Sequence, residues 1–330
     1  MSAWWVSGDS SGAPSIQLRT NISPAEMTDE NSVMVEVSHS AINYKDALAL
    51  TGSPGILRSL PMIPGIDATG RVIHSPDPNF HPGDVVVLTG WGYGESRHGG
   101  LATLLAADAT HLLPVPAGLS GFQAAACGTA GLTAALAVRA LEGAGVRPGD
   151  LPIAVTGAAG AVGSFAVFLL ARHGFTVTAI TGRTDEADYL RALGATEVVS
   201  RQEVLAWPQR PLMAERFGGA IDQAGGALLA TVLASTQNDG VVASCGLAGG
   251  SELNTSVMPF ILRGVSMLGI NSVYQPQDVR TQLWQEVQSL SADIPWDQMT
   301  VSVDLANAES TAKRVLAGAT RGRVVVEMPV

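Results

Sequence analysis

The chain has 330 residues, 46% of them hydrophobic and 15% charged, which bounds it as an ordered globular protein of two domains and excludes a disordered chain. Its formal net charge of −10 argues against nucleic acid or an anionic membrane as the main partner. Two cysteines, Cys127 and Cys245, stand far apart without metal or redox spacing, which excludes a disulfide framework and fits a reducing cytoplasm.

The N-terminal stretch MSAWWVSGDS has no basic residue before Arg19 and does not resemble a signal peptide. Up to about residue 40, apolar and polar residues alternate in short runs, with Val33–Val37 a strand and turns expected at Ser10–Gly12 and Thr28–Asn31. Residues 42–50 read as the start of a helix that Asn43 caps. From Pro61 to Leu88 the pattern is strands broken by Pro-Gly and Pro-Gly-Asp turns. Trp91–Gly100, WGYGESRHGG, is a glycine-rich loop of the kind that contacts ligands or is mobile. Leu112–Val138 lacks Asp, Glu, Lys and Arg, but Pro114, Pro116 and its glycines favour a buried loop and helix over a membrane span. The helix runs from Ala124 to Leu141.

The most informative stretch follows. Ile153–Thr156 is short, apolar and rich in β-branching, as a buried parallel strand requires. Gly157, Gly160 and Gly163 come next, then an apolar helix from Ser164 to His173 stopped by Gly174. Thr176–Ile180 is a second apolar strand, completing a βαβ unit. Gly160 lets the backbone approach a pyrophosphate, and Gly163 lets helix and sheet pack closely. The usual first glycine of the dinucleotide fingerprint is Ala158 here, with Gly157 one position earlier to supply the turn. The alternative, that small residues serve packing alone, fits the surrounding periodicity poorly. We read a Rossmann-type nucleotide site.

The second strand ends Thr181-Gly182-Arg183, with no carboxylate before Asp185. A hydroxyl and a guanidinium suit a 2′-phosphate, so the sequence expects NADPH rather than NADH. In the alternative, Arg183 is a solvated loop residue and Asp185 holds the ribose, although Asp185 also suits the N-cap of a helix from Glu186 to Leu193. Strands at Ala195–Ser200, Gly219–Asp222, Gly240–Cys245 and Ser266–Gly269 and a helix at Leu228–Ser235 continue the alternation, with 202–217 the least regular part. Helices at Val279–Ser289 and Ala308–Ala317 and a strand at Arg323–Val326 close the chain. A β-rich start, a doubly wound middle and a mixed return indicate one domain split around another.

Asn43-Tyr44-Lys45-Asp46, Pro64-Gly65-Ile66-Asp67-Ala68-Thr69-Gly70, Gly83-Asp84-Val85-Val86 and Val155-Thr156-Gly157 through Gly163 resemble the medium-chain dehydrogenase/reductase superfamily. SLPMIPGID, LTGWGYGE, GTAGLTAA, CGLAGG and VMPFILRGV narrow the likeness to the acrylyl-CoA reductases, also called YhdH-type quinone oxidoreductases, from about Ser38 onward. Two departures are Ala161, where a glycine is common, and Gln223, where the relatives tend to carry threonine. The resemblance implies an α/β chain in which a Rossmann doubly wound parallel-sheet domain (125–265) is inserted in a β-rich GroES-like catalytic domain (1–124 plus 266–330). Zinc-dependent relatives carry a cysteine and a Gly-His-Glu where this chain has Asn43–Asp46 and Gly65-Ile66-Asp67, and the six histidines show no paired spacing, so no metal is expected.

Without a Lewis acid, an activated double bond is a better hydride acceptor than an alcohol is a donor. The expected activity is NADPH-dependent reduction of acryloyl-CoA to propionyl-CoA, with a broader quinone or enone reductase as the alternative; a nucleotide-binding protein kept for a structural or regulatory role is the reading from another class. Tyr44 is the catalytic candidate, either donating to the enolate oxygen or packing on the nicotinamide. The resemblance implies cofactor contacts at Tyr44, Ala159, Gly160, Ala161, Val162, Thr181, Gly182, Arg183, Gly246, Leu247 and Ser272, and substrate contacts at Arg58, Asp67, Trp91 and Arg97. Lys45 is one of two lysines against seventeen arginines, and reads either as a point charge for an anion or as a solvated helix residue. The two domains are expected to close around the nicotinamide, and an exposed edge strand at 266–273 predicts a homodimer.

Overall fold

The computed structural model describes residues 1–8, 14–26, 31–149 and 151–329. The turns expected at Ser10–Gly12 and Thr28–Glu30 lie outside the described residues. The chain divides into two compact units, residues 1–129 with 272–330 and residues 130–271. The resemblance places the boundary before Ser266, whereas the strand pattern reads 266–273 as the last strand of the nucleotide-binding sheet; the strand at Ser266–Gly269 hydrogen-bonds in parallel to the preceding strand of the second unit.

The first unit contains β1 (Ala3–Gly8), β2 (Pro14–Arg19), β3 (Val33–Ile42), β4 (Asp67–His74), β5 (Val85–Thr89), β6 (Leu104–Ala107) and β7 (Leu112–Pro114). Strands β1 and β2 form an antiparallel ribbon. The main sheet also takes in two strands from the far end of the chain, giving the order β14-β15-β3-β4-β5-β7 with β6 paired to β3. Strand β3 alternates inward Val33, Val35 and Val37 with outward residues, the period a half-buried antiparallel strand needs. Those valines pack with Ile42, Leu88, Leu105, Val324 and Val326 into one core. Helix α1 (Tyr44–Leu50) starts directly after β3.

Helix α2 (Gly121–Gly143) carries the chain out of the first unit. It is long and apolar enough to cross a membrane by length and composition, yet 78% of its most apolar window is buried inside the protein. Its helical geometry breaks at Gly128, where φ is 43° and ψ −149°.

The second unit is built on β8 (Ile153–Thr156), β9 (Val177–Thr181), β10 (Glu197–Ser200), β11 (Phe217–Asp222), β12 (Thr236–Ser244) and β13 (Ser266–Gly269). All pairings are parallel and the order is β10-β9-β8-β11-β12-β13, so the chain winds outward in both directions from β8. The crossovers include α3 (Ala161–Arg172), α4 (Ala187–Ala192), α5 (Arg201–Leu205), α6 (Gly226–Ala234) and α7 (Met258–Arg263). Asp185 does not cap α4: it lies in a 3-10 turn, Thr184–Glu186, and the helix opens at Ala187. The irregular segment after residue 200 contains α5, capped by Ser200, whose side chain accepts from Gln202 N–H at 3.2 Å. After β13 the chain returns to the first unit through α8 (Gln277–Ser289), α9 (Trp296–Met299), β14 (Thr300–Asp304), α10 (Ala308–Leu316) and β15 (Arg323–Glu327).

Two strand ends explain why this order places a crevice at β8. In doubly wound sheets ligands bind where successive crossovers leave in opposite directions, at the carboxyl ends of the strands. Close packing at that point depends on Gly163. A Cβ there would stand 2.5 Å from Gly157 O and 2.6 Å from Ala158 Cα, inside the backbone of the turn. Gly163→Ala is expected to destabilise the protein by about 1–3 kcal/mol, since α3 must back away from the sheet. Urea unfolding checks it through a lower midpoint at unchanged slope; a midpoint equal to the parent's would show that the helix moves freely.

Candidate active site

In the second unit, β8 runs into a turn where Gly157 adopts φ 60°, a left-handed conformation that suits glycine. Gly157 therefore supplies the turn for which Ala158 is unsuited. Gly160 precedes α3, and a Cβ on it would meet only Gly157 O, at 3.2 Å, so the protein leaves that approach open. The N–H groups of Ala161, Val162 and Gly163 open the helix without carbonyl partners of their own turn. This is the cradle that a dinucleotide pyrophosphate requires.

Thr156 locks the turn to the neighbouring strand. Its hydroxyl donates to Asp222 Oδ1 at 2.7 Å and accepts from the N–H groups of Gln223 (3.0 Å) and Ala224 (3.2 Å). Asp222 also accepts from Gly225 N–H at 3.0 Å, and burial holds its carboxyl above the usual range. The loop after β12 folds onto the same place. Cys245 N–H donates to Asp222 O at 2.8 Å, and Gly249 N–H to Ala224 O at 2.7 Å. Gly246 lies so close to the Gln223 backbone that any side chain there would collide, while the neighbouring Leu247 is 54% exposed. Burial and nearby Asp222 push the Cys245 thiol up to about 12, so it stays protonated.

At the end of β9 the arginine is not solvated. Arg183 Nη2 donates to Ala159 O at 2.9 Å, folding the guanidinium over the glycine turn, and Nη1 lies 3.6 Å from Glu186 Oε1. Thr181 is buried and its hydroxyl accepts from Arg183 N–H at 3.0 Å, so it positions Arg183. The guanidinium of Arg201 stands 3.3–3.6 Å from where a Cβ of Gly182 would lie, bringing a second cation to this strand end. Sequence reasoning missed Arg201 because it sits at the start of the next helix; its signal was an arginine directly after an expected strand. A strand end with two guanidinium groups and an open glycine turn fits a dinucleotide carrying an additional phosphate.

In the first unit, Tyr44 is the first residue of α1, and Asp46 fixes that helix start. Asp46 Oδ2 accepts from Asn43 N–H (2.9 Å) and Nδ2 (3.0 Å), and Oδ1 from the N–H groups of Gly65 (3.1 Å) and Ile66 (2.9 Å). Burial, opposed by the Asn43 hydrogen bonds, raises its pKa to about 6. Asp67 lies beside it, 1% exposed. Its Oδ1 accepts from Thr129 N–H (3.0 Å) and Oγ1 (2.6 Å), its Oδ2 from Asn43 Nδ2 (2.8 Å) and Arg323 Nη2. Arg323 Nη1 donates to Asn43 Oδ1 at 2.6 Å. The assignment of Asp67 to substrate is therefore corrected: every acceptor position of the carboxylate is filled from within the unit. The kink in α2 belongs to the same cluster, because a Cβ on Gly128 would lie 2.6 Å from Arg323 Nη2 and 2.7 Å from Asp67 Oδ2. Tyr44 itself remains 36% exposed.

Lys45 is partly exposed and its charge is already answered: its Nζ pairs with Glu95 Oε1 at 2.8 Å. Arg58 is exposed, with its N–H donating to Glu95 O at 2.8 Å. Trp91 takes φ 56° and stacks on His111, ring centroids 4.7 Å apart, with Arg280 Cζ also 4.7 Å from its ring. Its Nε1 is buried and has no hydrogen-bond partner. Arg97 lies over Tyr93, and lines a cavity of about 540 Å³ together with Asp77, His98 and Asp108, a wall of mixed charge. Arg280 was not foreseen. It is 2% exposed and donates to Thr89 O and Oγ1, Ser272 O, Val273 O and Gln275 O, tying the 272–275 segment to the end of β5. Burial lowers its pKa to about 10, still well above neutrality. Among the described residues, no group of three or more His, Cys, Asp or Glu side chains is arranged to hold a metal ion.

Comparison with known proteins matches residues 29–117 to the alcohol dehydrogenase GroES-like domain and residues 161–289 to the family described as zinc-binding dehydrogenase. The chain is 45% identical over 299 residues to the acrylyl-CoA reductase AcuI of Ruegeria pomeroyi, covering 90% of each protein. Escherichia coli K-12 YhdH with bound NADPH superposes at a TM-score of 0.93 with 44% identity, over 98% of this chain and 99% of that one. Bacillus subtilis YhfP with NAD bound superposes at 0.90 with 40% identity, over 99% of this chain and 98% of that one.

Proposed function

The chain belongs to the medium-chain dehydrogenase/reductase superfamily, among the acrylyl-CoA reductases and the YhdH- and YhfP-type oxidoreductases, and from that membership we propose that it reduces the activated C=C bond of acryloyl-CoA to give propionyl-CoA with NADPH. The observation that carries this reading is Asp67. It closes the Gly65-Ile66-Asp67 run that stands where zinc-dependent relatives carry Gly-His-Glu, with the apolar Ile66 at the histidine position, and its acceptor positions are filled by Thr129, Asn43 and Arg323. Those residues are built to hold one another. A conjugated thioester needs no Lewis acid to accept a hydride, only donors for the oxygen that gains charge.

NADPH, when bound, supplies the hydride for the β-carbon of the acryloyl group. Tyr44 presents a phenolic hydroxyl at the start of α1, and that helix start is held rigid by Asn43 and Asp46. In this reading the hydroxyl donates to the thioester oxygen as it becomes an enolate, and a proton from solvent then adds to the α-carbon to complete propionyl-CoA. Asp67 and Arg323 keep Asn43, and through it Tyr44, in place. The exposed guanidinium of Arg58 and the unpartnered indole N–H of Trp91 are assigned to the CoA moiety. The substrate is a small molecule in the cytoplasm, in keeping with two free cysteines. A second reading, NADPH-dependent reduction of quinones or enones, is favoured by the mixed charge around Arg97, which forms no basic patch for the phosphates of CoA.

The discriminating experiment is NADPH oxidation with acryloyl-CoA against a simple quinone at matched concentrations. A larger kcat/KM for the quinone would sink the first reading. In the same assay Tyr44→Phe is expected to lower kcat by roughly a hundred-fold with NADPH affinity unchanged, the cost of one oxyanion donor. A kcat close to the parent's would leave Tyr44 with packing alone.

Arg183 decides the nucleotide. Arg183→Ala removes a charge-assisted contact to the 2′-phosphate, expected to weaken NADPH binding about ten- to a hundred-fold and to leave NADH nearly unchanged. The ratio of the two dissociation constants checks it, and an unmoved ratio would remove the support for NADPH at this position.

We also infer a homodimer. In the second unit β13 is an edge strand, with Met267 39% exposed, and Val257 (65%), Ile261 (71%) and Leu262 (56%) stand out in water around α7. An open apolar edge is an aggregation hazard, and a two-fold copy covers it with an identical strand. Sedimentation should give a dimer at micromolar concentration; a monomer overturns the inference.

A further inference from the structure

Gln223 follows Asp222 at the carboxyl end of β11, and its backbone is held from two sides. Its N–H donates to Thr156 Oγ1 at 3.0 Å, and its carbonyl accepts from Ala248 N–H at 3.3 Å. The side chain is thereby directed at the glycine turn: a Cβ on Gly157 would stand 3.9 Å from both Cβ and Oε1 of Gln223. The Nε2 of that amide is buried and has no hydrogen-bond partner. A buried amide donor without an acceptor is costly and rare in native proteins, so its persistence at a ligand cradle calls for an acceptor brought by the ligand. Neighbouring polar groups are already committed, Thr156 to Asp222 and Asp222 to Gly225.

We propose that Gln223 is a cofactor-binding residue, its buried Nε2 donating to an oxygen of the nicotinamide mononucleotide half of NADPH. The choice of half follows from strand order. Arg183 and Arg201 gather at β9 and the start of α5, on one side of β8, and mark the adenosine 2′-phosphate end. Gln223 ends β11, on the opposite side of β8. A dinucleotide with its pyrophosphate on the β8 turn must carry its second nucleotide toward β11 and β12. There its phosphate, ribose hydroxyls and carboxamide offer oxygen acceptors within the reach of a glutamine side chain.

The inference rests on the NADPH reading of this site, and the test separates the two. Affinities for NADPH and for 2′,5′-ADP, a probe of the adenosine half alone, are measured by calorimetry on the full chain. Gln223→Met keeps the length and removes the donor. It is expected to weaken NADPH about three- to ten-fold, the loss of one hydrogen bond, and to leave 2′,5′-ADP unchanged. The melting temperature without ligand should hold or rise, because the variant no longer buries an unpaired amide. Should the methionine variant fail to fold, Gln223→Thr must show the same selective loss. An unmoved ratio of the two affinities, with the parent binding NADPH, overturns the role of Gln223 and leaves the cofactor reading standing. A parent that does not bind NADPH sinks both.

Discussion

A guanidinium with no access to water must find its partners in the protein, and Arg323 does so by drawing four distant stretches of chain together. It is fully buried, on the last strand, and its donors reach Asp67 on β4, Asn43 before α1 and, at 3.5 Å, the carbonyl of Ala125 in α2. Burying a charge costs several kcal/mol unless its pairing is nearly complete, and breaking such a pair typically costs about 3–5 kcal/mol. The geometry of the first unit follows from that demand. Helix α2 gives up regular geometry at Gly128 because a side chain there would occupy the space of the ion pair. Asp46, pressed against the same cluster, ties the Gly65–Ile66 turn to the start of α1. Tyr44 is displayed by a helix whose start is held by charges bonded to one another within the unit.

The second unit solves the same problem with a neutral group. Thr156 uses its hydroxyl as donor and acceptor at once, binding the end of β8 to the end of β11. Three backbone glycines then do what side chains cannot: Gly157 turns, Gly160 leaves the approach open and Gly163 admits the helix. In both units the carboxylate at the centre of the cluster, Asp67 in one and Asp222 in the other, takes its hydrogen bonds from protein groups. Reactive capacity is left to groups at the periphery of each cluster.

Much of this was legible in residue pattern. The βαβ unit stood out because strand, glycine spacing and helix have different periods and follow one another without interruption. The edge strand at Ser266–Gly269 was legible both as an element and as the last of the nucleotide-binding sheet, because it continues the βα alternation, and its parallel pairing with β12 agrees. Arg183 stands out in the sequence as the cation at the end of β9, yet the carbonyl of Ala159 that it grips is a tertiary contact without a local signal. Arg280 was more readable than it was read. It shares a helical face with Leu283, Trp284 and Val287, all buried, and a charge on an apolar face is a prediction of burial with partners. Arg323, opening the run Val324-Val325-Val326, carries the same signal in a strand. Lys45 misled through rarity, because scarcity of a residue type says nothing about where its charge is answered, here by Glu95.

Satisfied and unsatisfied donors therefore divide by role. Arg280, with five bonds to protein oxygens, cannot also serve a ligand without losing one of them, so its place is to hold the 272–275 segment and the Trp91 ring. The indole N–H of Trp91 and the amide of Gln223 have no such bonds, and each lies in a loop that follows the end of a strand, where α/β and β-rich scaffolds alike present their binding groups. The two donors sit in separate units, Trp91 in the one that carries Tyr44 and Gln223 in the one that carries the glycine turn. Among the described residues, the other buried donor without a partner, Arg323 Nε, belongs to the ion-pair cluster, which leaves Trp91 and Gln223 as the candidates to meet a ligand, each within its own unit.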